Sequence, residues 1–287
     1  MSPAKFLCLA FLTGLLTSAV NLTPEEHDIS LPSPVVRSDF PETGEQRDAK
    51  VELGRLLFFD KLLSGNQNIS CATCHHPSHA SSDGMALSFG EGPSGLGPDR
   101  KPGADLTGSI HGRIPRNSPA LFNVGATEFE RLFHDGRVEA DPHGYYEGGF
   151  ITPAKWKLPT GLESVLAAQA MFPVTSDGEM AGQKGENAIA DAASLNNAAG
   201  PGGVWELLAD RLRGVPEYVS LFQTAYPEIQ TADEITFVHA ANAIAAFETQ
   251  AFRSDQSPFD LYLNGNRDAL SDAQLRGLKL FYGKAKC

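Results

Sequence analysis

Cys71-Ala72-Thr73-Cys74-His75 places two thiols three residues apart and an imidazole directly after the second. At that spacing each thiol can form a thioether with one vinyl group of a haem. The adjacent histidine is then held beneath the iron as an axial ligand. Two other uses of a Cys-x-x-Cys pair need surroundings that are absent. A thioredoxin-like redox pair wants a βαβ context, and a zinc site wants a second pair of ligands at suitable spacing. The motif therefore points to one haem c, held by Cys71, Cys74 and His75, with His75 as the iron ligand.

Immediately upstream, Val51-Glu52-Leu53-Gly54-Arg55-Leu56-Leu57-Phe58-Phe59 carries apolar residues at helical offsets and stops before Asp60, so a short helix is expected to lead into the motif. The chain repeats this pattern at its far end. Gly54-Arg55-Leu56-Leu57-Phe58-Phe59 precedes Cys71, and Gly277-Leu278-Lys279-Leu280-Phe281-Tyr282 precedes Cys287. Repetition of this kind marks duplicated units. Cys287 is thus expected to be the first cysteine of a second Cys-x-x-Cys-His whose remainder follows it.

The first nineteen residues read as a secretory signal: Lys5 gives a positive start, Phe6 to Leu16 is apolar, and Thr17-Ser18-Ala19 offers small residues before the cut. The apolar run is shorter than the ~20 residues that span a bilayer, so no membrane span is expected after cleavage. Cleavage would remove Cys8 and leave three cysteines, an odd number ill suited to a disulfide framework in an oxidising compartment. A periplasmic location follows as an expectation. The formal net charge of −12 argues against a nucleic-acid surface and permits steering of basic partner proteins.

Residues 20–50, rich in proline and acids, read as an extended lead-in. Ser78 to Pro119 is dense in Gly, Pro, Ser and Asp, either a solvated excursion or a substrate-access segment. Thr160 with Glu163, Thr231 with Glu234 and Ser271 with Gln274 have the spacing of capping boxes, each before a helical pattern. From Thr231 to about Phe252, Ile235, Val238, Ala241 and Ala245 share one face and Phe237, Ala240, Ile244 and Phe247 the next, an apolar surface wide enough to need burial. Shorter helices are expected over Val204 to Leu212 and Glu217 to Ala225, separated by Gly214 and Pro216. Alternating patterns are scarce. The expected class is mainly α: a cytochrome c-like haem domain over residues 51–253, then the start of a second such domain over 254–287.

With these pieces in hand, the sequence resembles the bacterial di-haem cytochrome c peroxidases and their relatives of the MauG type. The similarity runs from about Leu53 to Cys287. It is carried by Leu53 to Asp60, Ser70 to His75, Arg116-Asn117-Ser118-Pro119, Leu132-Phe133-His134-Asp135-Gly136-Arg137, Gln169 with Glu179-Met180, and Ser257-Pro258-Phe259-Asp260. The resemblance implies a first haem that meets hydrogen peroxide and a second that relays electrons from a small periplasmic cytochrome c or copper protein. It makes His75 the proximal ligand and Glu179 the distal carboxylate, with Gln169 as the glutamine upstream of it. Asn117 matches a residue that supports a calcium ion (Ca2+) in relatives.

Two positions depart from the family pattern. Where many members carry a removable histidine ligand in Ser-x-Gly-His, this chain has Ser88-Phe89-Gly90-Glu91, with His79, His111 and Met85 as nearby substitutes. Where the family commonly has a tryptophan between the haems, this chain has His134, which could bridge haem edges through hydrogen bonds or serve as an ordinary surface or core residue. The resemblance leaves three activities open: a peroxidase, a MauG-like oxidant of a partner protein, and a plain electron carrier. Two haems are expected in a complete protein and one in this chain.

Overall fold

The computed structural model describes residues 29–41, 45–101, 113–285 and 287. The signal segment, Cys8, His27 and His111 lie outside the described residues. The described chain falls into two compact units. The larger runs from Pro34 to Asp260; the smaller joins Leu261–Cys287 to the described residues Ile29–Ser33.

Helix dominates, as the patterning indicated. In the larger unit, helix α1 (Glu45–Phe59) leads into the one-turn helix α2 (Cys71–Cys74). Helices α3 (Val165–Ala170), α4 (Ala188–Ser194), α5 (Val204–Arg213), α6 (Pro216–Ala225) and α7 (Phe237–Ala251) follow. The chain then continues through α8 (Pro258–Leu263) to α9 (Asp272–Lys279), which Ser271 and Gln274 cap as expected. A small antiparallel sheet was not foreseen. Its order is β1 (Arg131–Leu132), β2 (Val138–Ala140), β3 (Phe150–Ile151), with Leu132 opposite Val138 and Ala140 opposite Phe150. Strands of two or three residues are too short to write an alternation into the sequence.

The core is built on α1 against α7. Leu53, Leu57 and Phe58 of α1 and Ala240, Ala241 and Ala243 of α7 are fully buried, and each large side chain so buried is worth about 1.5–3 kcal/mol. Phe58 also joins Phe247 and Phe252 at ring-centroid separations of 5.2 and 5.8 Å. Gly54 permits the crossing: a Cβ there would lie 1.8 Å from the Ala243 carbonyl oxygen, so no larger residue fits without parting the helices.

Helix starts depart from the sequence reading in three places. α1 begins at Glu45, since its first turn is polar and carries no apolar rhythm to reveal it. Thr160 caps nothing. α3 starts after Ser164, which accepts from Ala167 N (3.1 Å), because Glu163 is drawn away to Lys50 Nζ (2.7 Å) and its amide donates to Asn242 Oδ1 (3.1 Å). Thr231 and Glu234 cap only the short turn Ala232–Glu234; α7 starts at Phe237, where Thr236 N donates to His239 Nδ1 at 3.1 Å. Among the described residues no helix is long and apolar enough to cross a membrane.

Between α1 and α2 the chain is pinned from α5. Arg211 donates to the carbonyls of Leu62 (3.1 Å), Ser64 (2.6 Å) and Gly65 (2.8 Å). Tyr218 of α6 donates to Asp60 Oδ2 at 2.7 Å. Asp60 in turn caps the turn over Lys61–Leu63 by accepting from Leu62 N at 2.9 Å. These contacts deliver Ser70 and α2 to a fixed place on the core.

Candidate functional site

Ser70 opens α2 in extended backbone, and its amide donates to Thr73 Oγ1 at 2.9 Å. One helical turn then puts Cys71 and Cys74 on the same side, as an i, i+3 pair requires. His75 ends the turn, its amide donating to Cys71 O at 2.9 Å. The imidazole is held by what surrounds Nδ1: the carbonyl oxygens of Ser81 and Pro119, each at 3.1 Å. Two carbonyls can only accept, so Nδ1 carries the hydrogen and Nε2 keeps its lone pair. Ser118 Oγ donates to Cys74 O (2.7 Å), and Ser82 Oγ donates to Ser118 O (2.7 Å), stitching residues 118–121 onto the motif. Burial holds the His75 pKa below its ordinary value, so the ring is neutral at neutral pH.

Both thiols are held protonated. Burial, with the nearby charge of Glu248, pushes Cys71 up to about 12, and burial pushes Cys74 up to about 11. Cys74 Sγ contacts the Phe89 carbonyl oxygen at 3.7 Å, and this begins a second wall of the site. Gly90 there lies flat against the chain that carries Glu179. A Cβ on Gly90 would sit 1.7 Å from Gly178 O and 3.0 Å from Glu179 Cα, and Glu91 N meets Gly178 O at 3.4 Å. The segment expected to be solvated or to admit substrate is in this part packed inward: Asp83, Ser88, Phe89, Glu91 and Arg100 are all buried.

Glu179 lies in a π-helical turn, Asp177–Ala181, within electrostatic reach of Cys74. Burial raises its pKa; Arg137 pulls it back down and Asp177 pushes it up. Arg137 stands over the Phe133 ring at 3.6 Å and pairs with Asp135 at 3.1 Å. The structure therefore brings Cys71, Cys74, His75 and Glu179 into one neighbourhood. Gln169 sits half-buried near the end of α3, and its side chain makes no hydrogen bond among the described residues. His134 is exposed in the turn between β1 and β2. Asn117 is exposed and donates to the Met85 carbonyl. Cys287 is exposed in the smaller unit, its amide bonded to Phe281 O at 3.0 Å. Among the described residues no three His, Cys, Asp or Glu side chains gather as a metal site.

Several residues escaped the sequence reading. Ser118 was seen only as part of a motif, although it braces His75. Arg100 is 3% exposed, donates to Gly90 O, and leaves its Nε without a partner. Glu248 is 7% exposed on α7 with Oε2 unpartnered, and burial pushes it up to about 8. A signal for Glu248 was present: it is a lone acid directly after Phe247 on the apolar surface of the helix.

The donor set fits a covalently attached haem. Two thiols share one helical turn, and the adjacent imidazole has Nδ1 tied to carbonyls, while Nε2, with Ser118 Oγ at 3.5 Å, keeps a lone pair that can bind iron. Buried polar atoms without partners, on Arg100 and Glu248, lie within electrostatic reach of Cys74 and Cys71 respectively. Such a site defines a c-type haem protein.

The chain belongs to the di-haem cytochrome c peroxidase family, which it matches over residues 48–268. It is 30% identical over 250 residues to the methylamine utilization protein MauG of Methylorubrum extorquens, covering 86% of this chain and 50% of that protein. It is 29% identical over 230 residues to the cytochrome c551 peroxidase of Pseudomonas aeruginosa, covering 80% of this chain and 46% of that one. Among solved structures, a MauG-like protein associated with microbial copper homeostasis superposes with a TM-score of 0.52 at 26% identity, over 88% of this chain and 53% of the other. The chain spans about half the length of the curated relatives it matches. Membership implies haem c and oxidoreductase chemistry.

Proposed function

We propose that this chain is the peroxide-reacting part of an exported di-haem cytochrome c peroxidase, which reduces hydrogen peroxide to water with electrons from a small periplasmic cytochrome c or copper protein. On this reading residues 1–19 are a signal peptide, 51–253 form the first cytochrome c-like haem domain, and 254–287 begin a second, with Cys287 opening its haem motif. The observation that carries the reading is the approach of Glu179 to Cys74 across the Phe89–Glu91 wall.

Cys71 and Cys74 would hold the haem by thioethers and His75 Nε2 would bind its iron; the bound haem would supply the electrons that cleave the O–O bond. What remains for the protein is to move a proton between the two peroxide oxygens. A Glu179 oxygen can take it from one and return it to the other, because burial raises the pKa of this carboxyl toward the range where both directions are accessible. Gln169 can hold peroxide without adding charge. Ser81 and Pro119 fix the His75 ring, and Arg137 limits how far the Glu179 pKa rises. We place His134 on an electron path between haems, and Asn117 as one oxygen ligand of a calcium ion.

A second reading is favoured by one observation. Glu91 stands where many members have a removable histidine ligand; it is buried, and its amide meets Gly178 O, next to Glu179 in sequence. A first haem left open in this way also suits a MauG-like oxidant of a partner protein. Peroxide-dependent oxidation of a reduced small cytochrome, measured in protein carrying both complete haem motifs, tests the peroxidase reading. Glu179→Gln should lower turnover by about 100-fold or more. Retention of wild-type turnover by that variant contradicts the assigned role.

A further inference from the structure

Glu91 is a buried carboxyl that the proton relay proposed above does not use. It is 9% exposed, and its carboxylate is held near the backbone and side chain of Asn66. Burial among mainly neutral partners favours the protonated form of a carboxyl. Its surroundings are specific. Arg100 faces it, with a guanidinium nitrogen bonded to the neighbouring Gly90 carbonyl and Nε unpartnered. Asn66 approaches it from the turn before α2. Glu186 stands behind Asn66, whose Nδ2 it accepts at 2.8 Å. Asp83 lies beyond Arg100, on the side of Cys74 and His75. Gly178 O meets the Glu91 amide, and Glu179 follows directly in sequence.

We propose that Glu91 is a second proton-holding carboxyl of the haem site, charge-balanced by Arg100, and that electron uptake at this site is accompanied by proton uptake at a Glu91 oxygen. The proposal rests on the haem reading above and deepens it. Glu91 is joined to the site through its own strand of chain. Phe89 O touches Cys74 Sγ, and one residue on, Gly90 is pressed against the Glu179 backbone. A charge gained or lost there acts through buried protein rather than through water, so an electron arriving at the site is felt at the carboxylate. The balance is simple: one electron enters from an external mediator, one proton enters from solvent, and the only bond formed is the O–H of the Glu91 carboxyl. Burial pushes Glu91 up to about 6, opposed by Asn66 and Arg100 and assisted by Glu186, so the coupling falls within an accessible pH range.

The test is a mediated redox titration of the haem-matured chain between pH 5 and pH 9. In the wild type the midpoint potential should fall as pH rises from an onset near 6. Glu91→Gln should abolish the part of the fall with onset near 6, and Glu179→Gln should leave that onset in place. Arg100→Met removes the balancing cation and should move the onset up by about one pH unit. A haem-loaded E91Q protein that keeps the wild-type pH dependence overturns this proposal alone. A wild-type protein without covalent haem overturns the haem reading and the proposal together. Should E91Q fail to mature, R100M decides with Glu91 intact: an unmoved onset overturns the proposal.

Discussion

Replacing Glu248 by glutamine should stabilise this protein, and by an amount that depends on pH. The carboxyl is buried on α7 within electrostatic reach of Cys71, 7% exposed, with Oε2 unpartnered and its pKa pushed by burial from 4.5 to about 8. In the unfolded chain the same group ionises near its ordinary value. Between the two pKa values the unfolded state therefore binds fewer protons than the folded state, and folding stability falls as pH rises. Below about pH 4.5 both states hold the proton and nothing is lost; above about pH 8 the loss is complete. Each unit of separation is worth about 1.4 kcal/mol, so the wild type should lose roughly 3–4 kcal/mol between pH 5 and pH 8 from this residue alone. Glu248→Gln has no such titration. Urea unfolding of both proteins at pH 5, 6, 7 and 8 should show their stabilities converging at the acid end and separating by roughly 3 kcal/mol at pH 8, the variant being the more stable. A separation that stays constant with pH, or a variant that is less stable at pH 8, refutes the reasoning.

Other substitutions probe different links. Gly54→Ala drives a methyl into the Ala243 carbonyl and should cost about 1–3 kcal/mol, read as a lowered thermal midpoint with helix content kept. Arg137→Met removes the charge that holds the Glu179 pKa down, so the acid limb of the kcat/KM profile for peroxide should move to higher pH; an unmoved limb separates Arg137 from the proton relay. Ser118→Ala deletes the hydroxyl that braces the Cys74 carbonyl. It should broaden the axial-histidine signals in the NMR spectrum of the matured protein, and sharp signals at wild-type positions would show that the two carbonyls on Nδ1 suffice.

How far the sequence could be read follows from how locally each feature is written. The Cys-x-x-Cys-His turn is five consecutive residues, and the wide apolar surface of α7 repeats at helical spacing, so both were visible without a structure. The start of α3 was misplaced because Glu163 serves Lys50 and Asn242, partners far away in sequence, instead of the cap its spacing suggested. Arg100 and Asp83 lie in a stretch whose composition says loop. Their burial depends on Gly90 docking against Gly178, a contact across almost ninety residues that no local pattern records. Glu179 was singled out through resemblance alone, and its environment became interpretable only when Cys74, Arg137 and Asp177 were placed around it.

Everything proposed for the site depends on a porphyrin bound through both sulfurs of α2. Intact-mass spectrometry of the export-matured protein under denaturing conditions measures that directly. The account requires a mass increase of one haem that survives unfolding and disappears in the Cys71→Ala, Cys74→Ala double variant. An unmodified mass for the wild type, or an equal increase in the double variant, contradicts it.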